Sequence, residues 1–312
     1  MRWDDFRSSD NVDDRRGDDS GPLAGPGFPL PTGRGGMGLG TIIIVGLIAW
    51  AVGIDPRVIL TGIEMTQGQG PTGGYERQMP NQQAPVRKKG PPTDELGRFV
   101  AGVLGETEDR WAEIFGESGA RYRPPRLVIF SRATNSACGY AQSAMGPFYC
   151  PPEQAVYLDT SFFQDLQRKL NACPAGSKSC EFSQAYVIAH EIGHHVQNIT
   201  GILPKVQQAQ RGMSPRERNA MQVRVELQAD CFAGVWANRQ QKKRPFLDPG
   251  DVDAALQTAS AIGDDTLQRR SQGAVVPDSF THGSAAQRKQ WFQTGFQTGD
   301  VNRCNTFAAG AI

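Results

Sequence analysis

Glycine and proline are concentrated at the start of this 312-residue chain, and their distribution decides where a folded core can form. Residues 1–92 contain 17 Gly and 10 Pro, whereas residues 93–312 contain 19 Gly and 11 Pro in more than twice the length. A segment so rich in these residues buries too little apolar surface to offset its conformational entropy. The sequence therefore predicts that the packed domain lies within residues 93–312.

One stretch of the first 92 residues is nevertheless apolar enough to cross a membrane. Residues 35–54 contain no charged side chain, and a helix of this length rises about 30 Å, the thickness of a bilayer's hydrocarbon core. We therefore predict a transmembrane helix over residues 35–54, between a disordered tail over residues 1–34 and a flexible linker over residues 55–92. A cleaved signal peptide and a buried core helix are the alternatives.

The positive charges around the apolar segment predict its orientation. Five arginines precede it and one, Arg57, lies in the twenty residues after it; the five are Arg2, Arg7, Arg15, Arg16 and Arg34. Because positive charge is retained in the cytoplasm, the tail is predicted to be cytoplasmic. Residues 55–312 are then outside, in the periplasm or extracytoplasmic space, on a single-pass anchor in the cytoplasmic (inner) membrane.

Cysteine usage agrees with an exported domain. All six cysteines follow the apolar segment, and an even number in an exported domain favours disulfides, although six cysteines allow fifteen pairings. We predict the pairs Cys138–Cys150 and Cys173–Cys180, which close short loops, and Cys231–Cys304, which ties the C-terminal tail to a helix. Free buried thiols are the alternative. The absence of a Cys-x-x-Cys motif argues against a zinc ribbon or a thioredoxin-type site.

Hydrophobic periodicity predicts a mostly helical domain with a small sheet, which is the α+β class. Two short apolar runs, residues 126–131 and 155–159, have the composition of strands. Six segments have helical spacing or helix-start signals, namely residues 93–116, 161–170, 181–198, 214–240, 251–262 and 284–296.

Three of the four histidines fall in one six-residue stretch, residues 190–195, of a predicted helix. His190 and His194 are four residues apart, so a helix stacks their imidazoles on one face, where two nitrogens can hold one metal ion. Glu191 projects beside them and is placed to take a proton from a water rather than to bind the metal. The alternative is an ordinary solvated histidine pair.

A catalytic zinc ion needs a third protein ligand and one open position. No further histidine is free nearby, so a carboxylate is expected, and Glu226 and Asp230 share one face of the next long helix. Glu226 is predicted to be the third ligand, and Asp230 to accept the outer N–H of a liganding imidazole. Two surface carboxylates are the alternative, but the apolar neighbours of Asp230 indicate burial, and a buried acid needs a partner.

The pattern His190-Glu191-x-x-His194 followed by Glu226-x-x-x-Asp230 resembles that of the gluzincin metallopeptidases. Four stretches more narrowly resemble the bacterial family of neutral zinc metallopeptidases, namely Gly146–Pro151, Val187–His195, Glu226–Trp236 and Asp278–Gly283. The resemblance covers essentially the whole chain. It implies a zincin-like fold and zinc-dependent peptide hydrolysis, and it does not specify a substrate.

The resemblance also bears on the remaining histidines. In gluzincins a residue outside the two zinc helices often stabilises the oxyanion of the tetrahedral intermediate, and His282 is the candidate here; its alternative is a loop histidine that caps the helix at Ser284. The side chain of His195 projects about 100° around the helix axis from that of His194. We therefore interpret His195 as structural or as a hydrogen-bond partner. Zincins bind substrate as an added strand, and residues 155–159 are the predicted sheet edge.

The sequence thus predicts a membrane-anchored, zinc-dependent metalloendopeptidase with one Zn²⁺ ion, with Glu191 as general base and a peptide or protein as substrate. The near balance of 33 Lys+Arg against 32 Asp+Glu excludes a general nucleic-acid binder. The alternatives are a non-catalytic zinc-binding scaffold, whose site a fourth ligand such as His195 or a cysteine would close, and a zinc amidohydrolase acting on a non-protein substrate. The sequence leaves the oligomeric state open.

Overall fold

The computed structural model describes residues 1–17, 92–142, 146–168, 173 and 178–312. The predicted transmembrane helix and most of the predicted linker lie outside these residues. Among the described helices, none has both the length and the apolar composition needed to span a bilayer.

The described part of the chain is mostly helical with a small sheet, which confirms the α+β class. Each of the six predicted helices is present within a few residues of its predicted bounds. Two further helices, the fourth and the seventh, were not predicted. The helices are α1 (Glu95–Glu117), α2 (Ser161–Arg168), α3 (Ser179–Ile199), α4 (Ile202–Gln210), α5 (Pro215–Lys243), α6 (Asp251–Ala261), α7 (Asp264–Gln272) and α8 (Ala285–Thr298).

In the described residues six short strands accompany the helices, namely β1 (Val12–Asp14), β2 (Arg126–Phe130), β3 (Ala133–Ser136), β4 (Gly139–Gln142), β5 (Phe148–Cys150) and β6 (Ala155–Asp159). Four of them form a sheet in the order β1-β2-β6-β5, in which β5 alone runs antiparallel to its neighbour. Strands β3 and β4 form a separate hairpin.

The prediction that residues 155–159 form the sheet edge was wrong. Strand β6 pairs with β2 on one side and with β5 on the other, and all five of its residues are buried. An apolar run with no exposed face is typical of an interior strand. The edges of this sheet are β1 and β5.

Residues 1–17 differ from the predicted disordered tail, because they pack in the same compact unit as residues 92–312. Strand β1 extends the sheet beside β2, Ser9 is fully buried, and the Trp3 ring packs edge-on against Phe99 at 5.4 Å. Residues 1–17 contain one Gly and no Pro, so the composition averaged over the first 92 residues does not describe them.

Helices α3 and α5 pack closely enough to bring their side chains to one site. A Cβ atom on Gly193 of α3 would lie 3.0 Å from the Cα atom of Ala229 on α5. Glycine costs about 1 kcal/mol relative to alanine inside a helix, and here it permits the contact between the two backbones. This contact sets His190 and His194 opposite Glu226.

The three predicted disulfides are confirmed: Cys138–Cys150, Cys173–Cys180 and Cys231–Cys304. The first fixes the hairpin of β3 and β4 to the edge strand β5. The third joins α5, the helix that carries Glu226, to the C-terminal residues.

Replacing both Cys231 and Cys304 by Ala is expected to lower the free energy of unfolding by about 2–4 kcal/mol. The matched double replacement of Cys173 and Cys180 should cost less, because that bridge spans 7 residues of chain rather than 73 and restricts the unfolded state less. Urea denaturation of both double variants measures the difference. A larger loss for the Cys173–Cys180 pair would contradict this expectation.

Candidate metal centre

Three side chains from α3 and α5 converge on one point. The Nε2 atoms of His190 and His194 lie 3.1 Å and 3.5 Å from the same carboxylate oxygen of Glu226. The three potential ligand atoms all lie within 4.8 Å of one another. In a tetrahedral site with Zn–N bonds of about 2.0–2.1 Å, ligand atoms are roughly 3.3 Å apart. Both the donor types and their spacing therefore fit a zinc ion.

The outer nitrogen of His190 is held by Asp230, as the sequence predicts. The distance from His190 Nδ1 to Asp230 Oδ1 is 2.8 Å, and the Asp230 side chain is 0% exposed. When the Nδ1–H of His190 is donated to Asp230, the Nε2 atom faces Glu226 and the candidate metal position.

Arg288 of α8 completes a buried network around Asp230 that the sequence analysis did not identify. Its Nε and Nη2 atoms donate to the two Asp230 oxygens at 2.8 Å and 2.9 Å, and the Tyr186 hydroxyl donates to Oδ1 at 2.6 Å. Burial raises the pKa of Asp230, but the charges of Arg288 and His190 outweigh burial and lower it to about 2. Asp230 is thus a carboxylate at neutral pH.

A sequence signal for Arg288 exists. Arg288, Trp291, Phe292 and Gly295 occupy positions i, i+3, i+4 and i+7 of α8, and all four are buried. An arginine within an apolar stripe must find a buried acid. The sequence does not show which acid this is.

The outer nitrogen of His194 is held by Gln197, a contact that was also missed. Gln197 lies on the same face of α3, and its Oε1 is 2.9 Å from His194 Nδ1. The Gln197 Nε2 group donates to Val225 O at 2.8 Å and to Gln228 Oε1 at 3.0 Å. Because its amide nitrogen is used in this way, the oxygen must face the imidazole, which leaves the His194 Nε2 lone pair directed at the site.

Replacing Gln197 by Met is expected to weaken zinc binding about 10–100-fold, because the acceptor that orients His194 is lost. The matched control is Gln228→Met, which removes hydrogen bonds from the same buried network without touching an imidazole. Competition with a chromophoric zinc chelator measures both affinities. Equal losses in the two variants would show that general packing, rather than orientation of His194, sets the affinity.

The charges at the site favour a cation. Burial lowers the pKa of His190, but Asp230 and Glu226 raise it to about 10. Burial also lowers the pKa of His194, whereas Glu226 and, more weakly, Glu191 raise it above its usual value. A metal ion that binds these nitrogens must displace protons, so its affinity falls as the pH is lowered.

Glu191 lies beside the ligands rather than among them. It follows His190 directly on α3, its side chain is 7% exposed, and its charge reaches His194. The converging ligand atoms belong to His190, His194 and Glu226.

His282 lies near the metal position on the loop before α8. One Asp264 oxygen accepts the backbone N–H groups of Thr281, His282 and Gly283 at 2.7, 2.6 and 3.0 Å, and the other lies 3.3 Å from His282 Nδ1. Burial lowers the pKa of His282, whereas Asp264 and Glu226 raise it above its usual value. The imidazole remains 51% exposed, so its outer edge is open to a ligand. Asp264, which fixes this loop, was not predicted from the sequence.

His195 faces away from the metal position. Its Nε2 atom contacts Arg123 O at 2.6 Å and its Nδ1 atom contacts the Tyr149 hydroxyl at 3.0 Å. Burial lowers the pKa of His195 to about 4, so the ring is neutral at physiological pH. Both nitrogens are engaged in the core, in agreement with a structural role.

The family model described as "Putative neutral zinc metallopeptidase" matches residues 1–307. The chain belongs to this family. The match includes residues 1–17 together with both helices that carry the candidate metal ligands.

Relatives of the chain are found in Escherichia coli and in Mycobacterium bovis. The protein YpfJ of Escherichia coli strain K12, described as uncharacterized, is 46% identical over 308 residues, which is 98% of this chain and 99% of the relative. The protein Mb2605 of Mycobacterium bovis, also described as uncharacterized, is 44% identical over 200 residues, which is 61% of this chain and 65% of the relative. No solved structure gives a significant match to this chain.

Proposed function

We propose that this protein is a zinc-dependent metalloendopeptidase with a zincin-like fold. The observation that carries the proposal is the convergence of His190, His194 and Glu226 on one point, with the outer nitrogens of both imidazoles held by buried acceptors. Family membership supports hydrolase chemistry with zinc and a peptide or protein substrate.

Each residue of the site has a separate task in this mechanism. A zinc ion held by His190, His194 and Glu226 would polarise the scissile carbonyl and activate a water molecule. Glu191 accepts the proton of the attacking water on its carboxylate and delivers it to the leaving amine. His282, held by Asp264, donates a hydrogen bond to the oxyanion that develops on the carbonyl oxygen.

An extended peptide would bind along the free edge of β5. Among the described residues this strand, rather than β6, has a neighbouring strand on one side only, and Tyr149 within it contacts His195 of α3. Backbone pairing at a sheet edge gives affinity without demanding one side chain, which suits an endopeptidase.

Replacing His282 by Ala is expected to lower kcat by about 10²–10³-fold, since one donor to the oxyanion is lost. Zinc content should be unchanged, because His282 is outside the ligand set. Steady-state kinetics on a fluorogenic peptide measures the effect. An unchanged kcat would support the alternative that His282 only shapes the loop before α8.

The alternative of a non-catalytic zinc scaffold requires a fourth protein ligand. The candidates for that role are engaged elsewhere: His195 bonds within the core, and all six cysteines form disulfides. An open coordination position, as a hydrolase needs, is thereby supported.

The experiment that tests the proposal is metal analysis of the full chain combined with an unbiased peptide-library cleavage profile. We expect one zinc ion per chain and cleavage within peptides that a chelator abolishes and added zinc restores. Zinc binding without peptide cleavage, together with hydrolysis of amide bonds in cell-wall material to a free amine and a carboxylate, would instead identify a zinc amidohydrolase.

We further propose that the domain works outside the cytoplasm. Three disulfides among six cysteines support an oxidising compartment. Association with the membrane through residues 35–54, as distinct from a single crossing of it, is proposed on the apolar sequence of that segment alone.

A further inference from the structure

Residues 1–17, named here the N-terminal clasp, are joined to the domain through their backbone. Strand β1 runs parallel to β2, with Leu127 N donating to Asn11 O at 2.9 Å and Arg15 N donating to Ile129 O at 2.7 Å. A third backbone bond, from Ser9 N to Ala101 O at 3.0 Å, ties the clasp to α1. These bonds contribute a strand to the sheet, so the clasp is part of the fold.

Helix α1 has glycines where the clasp crosses it. A Cβ atom on Gly105 would lie 1.9 Å from the carbonyl oxygen of Arg7, and one on Gly102 would lie 3.2 Å from Phe6 Cβ. Glycine is the poorest helix former except for proline, so its presence inside a buried helix needs a reason. The close passage of the clasp backbone supplies it.

Arg7 and two neutral polar side chains of the clasp contact acids on α1. Arg7 donates to Glu108 at 2.7 Å and to Asp109 at 2.9 Å. The other oxygen of Glu108 accepts from Ser9 Oγ and from Asn11 Nδ2, each at 2.7 Å.

The remaining arginines of the clasp are also engaged by carboxylates. Arg16 pairs with Asp14 and with Asp94, the residue that caps the start of α1, and Arg15 pairs with Asp13. Arg2 lies beside Asp248. The clasp thus contains four of the five arginines that predicted a cytoplasmic N-terminus, and their partners account for them without reference to a membrane.

We propose that the N-terminal clasp is a permanent part of the catalytic domain and lies on the same side of the membrane as residues 92–312. The chain between residues 17 and 92 then leaves the domain and returns to it on one side. It can cross a bilayer only an even number of times, zero included. A single-pass anchor with a cytoplasmic N-terminus and an external domain is incompatible with this arrangement. The inference does not depend on the proposed enzymatic activity.

Thiol labelling of the full-length chain in bacterial spheroplasts tests the sidedness. All six native cysteines form disulfides, so Asp10→Cys in the clasp and Ala309→Cys near the C-terminus, both at exposed positions, each introduce one free thiol. A membrane-impermeant maleimide is applied before and after lysis. We expect the two variants to label alike, both before lysis or both only after it. Labelling of one before lysis and of the other only after it would overturn the proposal.

Two glycine-to-alanine replacements on α1, expected to shift the melting temperature in opposite directions, test whether the clasp packs against this helix. Gly116→Ala, at an exposed position of α1 with nothing within 4 Å of the added Cβ, should raise the melting temperature of the full chain because alanine favours the helix. Gly105→Ala should lower it, because the added Cβ strikes the Arg7 backbone. A Gly105→Ala variant at least as stable as the Gly116→Ala variant would show that the clasp does not pack against α1.

Discussion

Replacing Glu191 by Gln is expected to reduce kcat for peptide hydrolysis by about 10²–10⁴-fold while zinc stays bound. Gln has the size of Glu but cannot accept the proton of the attacking water. Because Glu191 is buried beside His190 and outside the converging ligand atoms, its loss should leave the metal site intact. The kcat for a fluorogenic peptide measures the loss of hydrolysis. The zinc content of the same preparation measures whether the metal stays bound.

The matched control is Glu181→Gln, which makes the same chemical change in the first turn of α3. This variant should cleave at the wild-type rate. If Glu191→Gln cleaved as fast as the control, the assignment of Glu191 as general base would be wrong. If it lost its zinc, Glu191 would instead belong to the ligand set.

Replacing Arg288 by Met is expected to lower the free energy of unfolding by about 3–5 kcal/mol, the usual cost of breaking a buried ion pair from one side. Arg288 donates two hydrogen bonds to Asp230, and both side chains are almost fully buried. Without the guanidinium, Asp230 would keep only the hydroxyl of Tyr186 and the imidazole of His190 as partners.

The control is Arg216→Met, at an exposed arginine that lies 3.1 Å from Asp278. Surface pairs contribute about 0–1 kcal/mol, so this variant should unfold almost as the wild type does. Denaturant titration of the metal-free proteins measures both. Similar small losses in the two variants would mean that Arg288 does not provide the charge that keeps Asp230 ionised in the core.

The cluster of candidate metal ligands could be predicted from the sequence because its geometry is local. The spacing of four between His190 and His194, and again between Glu226 and Asp230, fixes which side chains share a helix face whatever the tertiary structure. What the sequence could not supply were the partners from distant segments. Asp264 reaches the His282 loop only through tertiary packing of α7 and α8.

The short strands β1 and β5 and the helix α7 carry no pattern that composition or periodicity could reveal. Strands β1 and β5 have three residues each, too few to show a period of two, and β1 is stabilised by the β2 backbone rather than by its own apolar pattern. The helix α7 has a single leucine among nine residues and only Asp264 is buried, so it offers no apolar stripe to detect. These elements form because the rest of the same domain provides their partners.

The central claim is that two imidazoles and one carboxylate hold a single zinc ion with one position left open. X-ray absorption at the zinc edge, on the full-length protein loaded with one equivalent of zinc, tests it most directly. We expect two imidazole nitrogens at about 2.0–2.1 Å, oxygen scattering at about 2.0–2.2 Å, and no sulfur. A third imidazole, or sulfur at about 2.3 Å, would contradict the proposed site.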